Sequence, residues 1–478
     1  MKTELRLFLT MALLLMAAGA AAEEVAGLPV HVQQLDPGVI RVWLGDHISS
    51  TATVAIATDK GILVIDTTGN PKIDTQLRRI IARELGRDDF KYLINTHEHG
   101  DHTGGNAVYA DCTIVGHELV AEGMASQAVN QQRALAWSTA RIAELEQNIA
   151  KEPADSPTVA RMREELTLSR LILESRQANS QPCPPTKTFK DRLKLKLGDT
   201  TCELYYIGGL HSASDIAVFV PKHGLLMTGD TMADTWLTET PGCLASFMVR
   251  PGIRHDFPLL FQNWDLLLAK KADIRKYVTG HWNGELSQAG FEERIGYMRS
   301  LWDGVNRGIA AGTSLEDLQT EFRFDTRFPE LAASRGCSGQ GNATSILGIW
   351  SAVTGQASAA ERLYALIDEG AGEQALREVI AARNAKPAKY YFLEAELNAQ
   401  GYRFFQEERV PQAIALFRFN VELYPGSWNV YDSLGEALLK AGDTAAATAM
   451  YEESLRLNPE SPSGKAALER IRGAAASS

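Results

Sequence analysis

The chain has 478 residues, with 48 Lys and Arg against 59 Asp and Glu for a formal charge of −11, and 45% of its residues are hydrophobic. A single core stops growing at roughly 250–300 residues, so more than one domain is expected, and this apolar content excludes wholesale disorder. The acidic balance argues against nucleic acid as the main ligand, because phosphate binding normally shows as a basic excess.

At the amino end, Lys2 and Arg6 precede an apolar run from Leu7 to Ala18, and Ala20-Ala21-Ala22 follows. The run is short for a bilayer span and is followed by the small-x-small pattern of a cleavage site, which predicts a signal peptide over 1–22, cleaved after Ala22. A secreted or periplasmic protein with no membrane span after cleavage is expected. Five cysteines, Cys112, Cys183, Cys202, Cys243 and Cys337, would then meet an oxidising compartment; the odd count leaves at least one unpaired, and no C-x-x-C pair suggests a thiol zinc site.

From Val39 to Asp66, β-rich runs alternate with turn residues and predict strands joined by hairpins. Helical spacing over Ile73 to Leu85 leads into a short apolar run, Tyr92-Leu93-Ile94. Between about 117 and 181 the text turns polar and helical, with Leu135, Ile142 and Ile149 on one stripe and Val159, Met162, Leu166 and Leu173 on a second after a Pro-containing break. This predicts a helical hairpin inserted into a sheet domain, serving as a lid or a dimerisation arm. Strand patterning returns over Leu193–Leu197, Thr201–Ile207, Ile216–Val220, Leu225–Thr228 and Tyr277–Thr279, with helical text from Phe291 to Ala311. The sheet domain is expected to span 23–320 and a Gly- and Ser-rich linker 321–358.

Beyond it, Gly401, Ala413, Phe417, Leu423 and Pro425 recur 34 residues later as Gly435, Ala447, Tyr451, Leu457 and Pro459. That period with helical spacing resembles tetratricopeptide repeats and implies an all-α domain over 359–478, suited to a protein partner.

The densest chemistry is Thr96-His97-Glu98-His99-Gly100-Asp101-His102, directly after an apolar run. Three of the ten histidines and an aspartate within six positions suit a divalent ion, since imidazole and carboxylate are good zinc ligands that a tight turn can aim at one point. Gly208-Gly209-Leu210-His211, Thr228-Gly229-Asp230 and Thr279-Gly280-His281 each follow a strand-like run.

Together these motifs resemble the metallo-β-lactamase superfamily over residues 39–285. The resemblance implies an αββα sandwich and an enzyme, a metallohydrolase with two Zn²⁺ ions, or iron or manganese on the same donors. Carried over residue by residue, His97, His99 and His211 would hold one ion, Asp101, His102 and His281 the other, and Asp230 would bridge them. Asp101 would also orient the attacking hydroxide. The expected substrate is a small molecule with an ester, thioester, lactone or lactam-type bond. Superfamily β-lactamases commonly carry Cys or Ser at the bridging place, so Asp230 looks more like the glyoxalase II, lactonase, sulfatase and phosphodiesterase branches. A β-lactamase proper is one alternative; a repeat-mediated scaffold with a non-catalytic metal site is another, and iron-based oxygen chemistry a third.

Asp66 is expected either to order a metal ligand or to end a strand, and Asp215 to shape a turn. His117, at the start of the helical stretch, reads as structural, and His31, His47, His223 and His255 as lacking companion ligands. The stretches around Trp236–Cys243 and Trp282–Asn283 are where specificity is expected.

Overall fold

The computed structural model describes residues 23–476 apart from 49, 130, 179–180, 233–248, 250–252, 254, 282–285, 324–325, 327–328 and 330–342. The signal peptide read from the sequence, Trp236, Trp282, Asn283, Cys243 and Cys337 lie outside the described residues. Cys112, Cys183 and Cys202 are free thiols. Among the described residues no helix is long and apolar enough to cross a membrane.

Two sheets stack through their apolar faces. The first runs β1 (Glu24–Val25), β2 (Leu28–Asp36), β3 (Val39–Leu44), β4 (Thr53–Thr58), β5 (Gly61–Ile65), β6 (Phe90–Ile94), β7 (Thr113–His117) and β8 (Lys187–Phe189), each strand beside the next in sequence. Pairing is antiparallel up to β5 and parallel from β5 to β8. The second sheet places β9 (Arg192–Leu197), β10 (Thr200–Tyr206), β11 (Ile216–Val220), β12 (Leu225–Met227) and β13 (Lys276–Val278) side by side, with only β12–β13 parallel.

The run Gly61-Ile62-Leu63-Val64-Ile65 shows why so apolar a strand is needed: both its faces are covered. Leu63 and Ile65 join Val54, Val218 and Met227 between the sheets, whereas Ile62 and Val64 meet Ile73, Leu77 and Ile81 of helix α1 (Pro71–Leu85). Asn70 caps α1 by accepting the Lys72 amide, and Pro71 starts it where no amide donor is needed. Helices α6 (Phe257–Ala269) and α7 (Gln288–Ala311) pack Trp264 on Phe291, and Asn263 of α6 donates to the Tyr206 carbonyl of the second sheet. The αββα sandwich is therefore present. Strands β1, β2 and β8 carried no clear signal in the sequence, because they are short or half-exposed, and β7 is a five-residue run broken by Gly116.

Between β7 and β8 lie α3 (Val120–Val129), α4 (Gln131–Lys151) and α5 (Pro157–Gln177). His117 closes strand β7 and does not begin the helical stretch. Its ring stacks on Tyr206 at 3.8 Å and bonds the Lys190 carbonyl at 2.8 Å, a structural role.

The chain divides into two compact units, one of residues 1–313 and 318–348 and one of 314–317 and 349–478. The 321–358 stretch, read from its composition as a linker, contains a helix, α9 (Ala343–Thr354), after α8 (Leu315–Glu321). Ser345-Ile346-Leu347 in it are buried, so an apolar run here outweighs the surrounding Gly and Ser. The second unit is helical apart from two paired dipeptides, and its last five helices, α12 (Glu394–Gln406), α13 (Val410–Leu423), α14 (Trp428–Lys440), α15 (Thr444–Leu457) and α16 (Pro462–Ala476), follow α10 (Ala359–Asp368) and α11 (Glu373–Ala381). Gly401 on α12 lies against the Phe417 ring of α13, and 34 residues on Gly435 lies against Tyr451; in each pair a side chain larger than hydrogen would meet an aromatic face.

Candidate metal centre

The parallel strands β5 and β6 end side by side, and their ends supply the first part of the site. Ile94 closes β6; the chain then turns through Thr96 to His102, with His99 just before the short helix α2 (Gly100–Thr103). Asp66 follows β5 in the left-handed region, φ 57°, and is fully buried. Its carboxylate accepts from the Thr96 amide at 2.8 Å and the Thr96 hydroxyl at 2.6 Å. It also accepts from His102 Nδ1 at 3.0 Å. The reading of Asp66 as an orienting residue is thus the one the geometry favours.

The remaining donors arrive from the second sheet and its loops. Gly208, at φ 76°, turns the chain out of β10 where a Cβ would approach the Asp256 carbonyl to 2.4 Å, and His211 follows. Asp215 accepts from the amides of Leu210, His211 and Ser212 and from the Ser212 hydroxyl, so it shapes the turn that carries His211. Asp230 lies in a one-turn helix after β12. His281 follows β13, where Gly280 passes so close to the centre that a Cβ would come within 2.2 Å of Asp230 Oδ1.

All seven residues singled out in the sequence meet, in two groups: His97, His99 and His211, and Asp101, His102, Asp230 and His281. His99 Nδ1 is 3.0 Å from His97 Nε2 and 2.8 Å from His211 Nε2. One proton can bridge only one of those pairs, so three converging ring nitrogens suit a shared cation better than a hydrogen-bond network. Asp230 Oδ2 lies 3.4 Å from His102 Nε2, 3.3 Å from His281 Nε2 and 3.5 Å from His211 Nε2, and therefore borders both groups. Both of its oxygens are buried without a hydrogen-bond partner, an arrangement whose cost a metal ion would remove. The donor set of imidazoles and carboxylates fits zinc, iron or manganese.

Charge is arranged accordingly. Burial, reinforced by His102 and His99, holds His97 well below its ordinary value and keeps it neutral; with Nδ1 3.1 Å from the Thr96 hydroxyl, its Nε2 lone pair faces the centre. Burial opposes charge on His281 too, but Asp230 and Asp101 outweigh it and raise this imidazole to about 10.

Thr96, Glu98 and Thr51 were not singled out from the sequence. Glu98 accepts from the Ser214 hydroxyl and the Ala213 amide, tying the motif to the His211 loop. Thr51 donates its hydroxyl to the Asp101 carbonyl at 2.9 Å and pairs with His281. Glu98, sitting between ligands in the motif, was the legible one. His31, His223 and His255 bond Asp46, Asp36 and the Gly209 carbonyl, outside both metal groups. His47 groups with Asp46 and Glu164, contrary to its reading as companionless; Glu164 there accepts the amides of Asp46 and His47.

Comparison with known proteins gives a match to the family model of the metallo-beta-lactamase superfamily over residues 48–281. Those residues form a metallo-β-lactamase superfamily domain. A curated relative, 2,4-dinitroanisole O-demethylase subunit alpha of Nocardioides sp. (strain JS1661), is 26% identical over 293 residues, covering 59% of this chain and 68% of the relative. Among solved structures, a metallo-beta-lactamase from Pontibacter korlensis is 17% identical, with a TM-score of 0.36 over 56% of this chain and 97% of that one. The stereoselective inverting sec-alkylsulfatase Pisa1 from Pseudomonas sp. is 13% identical, with a TM-score of 0.48 over 89% of this chain and 66% of that one. Superfamily membership makes the domain an enzyme of hydrolase type with a metal-binding fold.

Proposed function

We propose that this chain is an exported hydrolase whose metallo-β-lactamase domain uses two zinc ions to cleave an ester, thioester, lactone or lactam-type bond in a small molecule. One observation carries it: two donor groups meet at Asp230, whose two buried oxygens have no other partner. His97, His99 and His211 would hold one ion, Asp101, His102 and His281 the other, with Asp230 shared. Bound ions would supply Lewis acidity and a water that loses its proton near neutral pH. The chain's own residues do the rest. Asp66 fixes the ring of His102 directly and that of His97 through Thr96. Asp215 and Glu98 hold the loop of His211. Asp101, a half-buried donor, would orient the attacking water.

The aspartate at the bridging place favours the ester, thioester and lactone readings over a β-lactamase proper, which stays in the test. The name of the curated relative adds an aryl methyl ether to the substrates worth testing. The test combines metal analysis with a panel of a chromogenic cephalosporin, a homoserine lactone, a glutathione thioester, an alkyl sulfate, a phosphodiester and 2,4-dinitroanisole. Two ions per chain, hydrolysis of at least one substrate, and loss of both in Asp230→Ala are expected. Turnover that survives verified removal of both ions overturns the proposal.

The second unit supports a partner-binding role: Gly401 with Phe417 and Gly435 with Tyr451 repeat one helix–helix contact 34 residues apart, as in tetratricopeptide-like repeats. Bound metal without hydrolysis across the panel would favour a scaffold over an enzyme.

A further inference from the structure

The inserted hairpin lies beside the metal centre, and its second helix carries a cation one turn from the point of contact. Helix α5 runs along the loop that faces the metal motif: the Asn70 side chain donates to the Leu171 carbonyl at 2.7 Å. A Cβ built on Gly69 would lie 3.5 Å from the Asp101 Cα and 3.6 Å from Ile172 Cγ1, so Asp101 and Ile172 flank the same point. Arg176 is one turn after Ile172 and shares its face of the helix.

Its guanidinium is held from one end only. Nη1 donates to the Ala134 carbonyl at 3.1 Å and to the Ser138 hydroxyl, both on α4. Among the described residues Arg176 has no ion pair, and Asp101 is the charged group whose field bears on it while burial works against its charge. Asp101 and His99 are the two donors that are not fully buried, and the Asp101 side chain is 36% exposed against 0%, 1% and 9% for His102, Asp230 and His281.

We propose that Arg176 receives a carboxylate or sulfate group carried by the substrate, at the Asp101 side of the centre, and so selects anionic substrates; this rests on the hydrolytic reading above. Once Asp101 ligates an ion its charge is committed there, and among the described residues the Arg176 guanidinium has no ion-pair partner. Its planar fork, pinned through Nη1, keeps Nη2 and Nε for two parallel bonds to an oxyanion.

The test uses the metal-loaded full chain and two nearly isosteric esters, neutral 4-nitrophenyl butyrate and anionic mono-4-nitrophenyl succinate, with inorganic sulfate as a calorimetric probe. Arg176→Gln is expected to weaken sulfate binding and raise KM for the succinate ester by about ten- to a hundredfold, the range for a lost charged hydrogen bond. Metal content and KM for the butyrate are expected to hold. Arg176→Lys, which keeps the charge and loses the fork, should recover only part of the sulfate affinity, and Ser138→Ala, which removes only the strut, should leave it within about twofold. The inference is overturned if sulfate affinity is unchanged in Arg176→Gln, if KM rises equally for both esters, or if Ser138→Ala matches Arg176→Gln. If the wild-type chain hydrolyses neither ester, the hydrolytic reading fails for esters while the sulfate titration still decides the anion site.

Discussion

The α4–α5 hairpin encloses a core of Leu145, Val159 and Met162 and leaves Trp137 63% exposed. The helices from Ala359 onward enclose a continuous cluster that includes Leu363, Phe404, Phe417, Leu434 and Tyr451. Both regions are pairs of antiparallel helices, yet only the second can be stabilised chiefly by burying its own apolar faces. The hairpin relies on cross-links between its helices, Arg141 to Glu165 at 2.6 Å and Arg170 to Glu146 at 2.6 Å, and on attachments to the sheet domain through Asn70 and the packing of Leu168 and Leu171. Exposed ion pairs add little free energy, so the hairpin is the more easily opened of the two. A weakly cored element touching the site is suited to sensing a substrate; a strongly cored one is suited to presenting a fixed surface.

This contrast can be broken at several points. The largest effect is expected from Phe417→Ala, about 3–5 kcal/mol from a fully buried ring, with proteolysis of the second unit and unchanged metal content. Next comes the metal: an ion at a hundred times its Kd should stabilise the first unit by about 2.7 kcal/mol and leave the second unmoved, read as two calorimetric transitions. That gain should shrink as pH falls, because ligation needs neutral imidazole and His281, with a value of about 10, must lose its proton to solvent before it can bind the ion. Without the ion the sign reverses. A raised imidazole contributes full stability below its unfolded value of 6.5 and loses it as pH rises toward about 10.

Met162→Ala should cost about 2 kcal/mol, confined to the hairpin, and be visible as faster amide exchange over α4 and α5. The smallest effect is Glu165→Gln, about 0.2–1 kcal/mol and weaker still at high salt. Were it to match Met162→Ala, the hairpin would be held by charge and the contrast with the second unit would be one of kind.

Much of the site was legible because its chemistry is local. His97, His99, Asp101 and His102 occupy one turn, and no other function needs that density of ligands. Asp66 stood undecided between two roles, because an aspartate after a strand looks the same whether it ends a turn or accepts from a histidine 36 residues later. Thr96 is hidden for a related reason: its partner, Asp66, is distant in sequence. The helix at 343–354 was hidden by its Gly- and Ser-rich surroundings.

The sequence by itself determined which side chains are available to hold metal, that a sheet domain carries a helical insertion, and that a 34-residue helical period follows. Those properties depend on periodicity and on ligand type, which are written in short stretches of chain. Only the tertiary structure decided that Asp230 borders both donor groups, that one carboxylate, Asp66, orders two ligands, and that the inserted helix α5 meets the loop beside Asp101. Each of those is a meeting of residues tens to hundreds of positions apart, set by the stacking of two sheets and the path of one inserted helix.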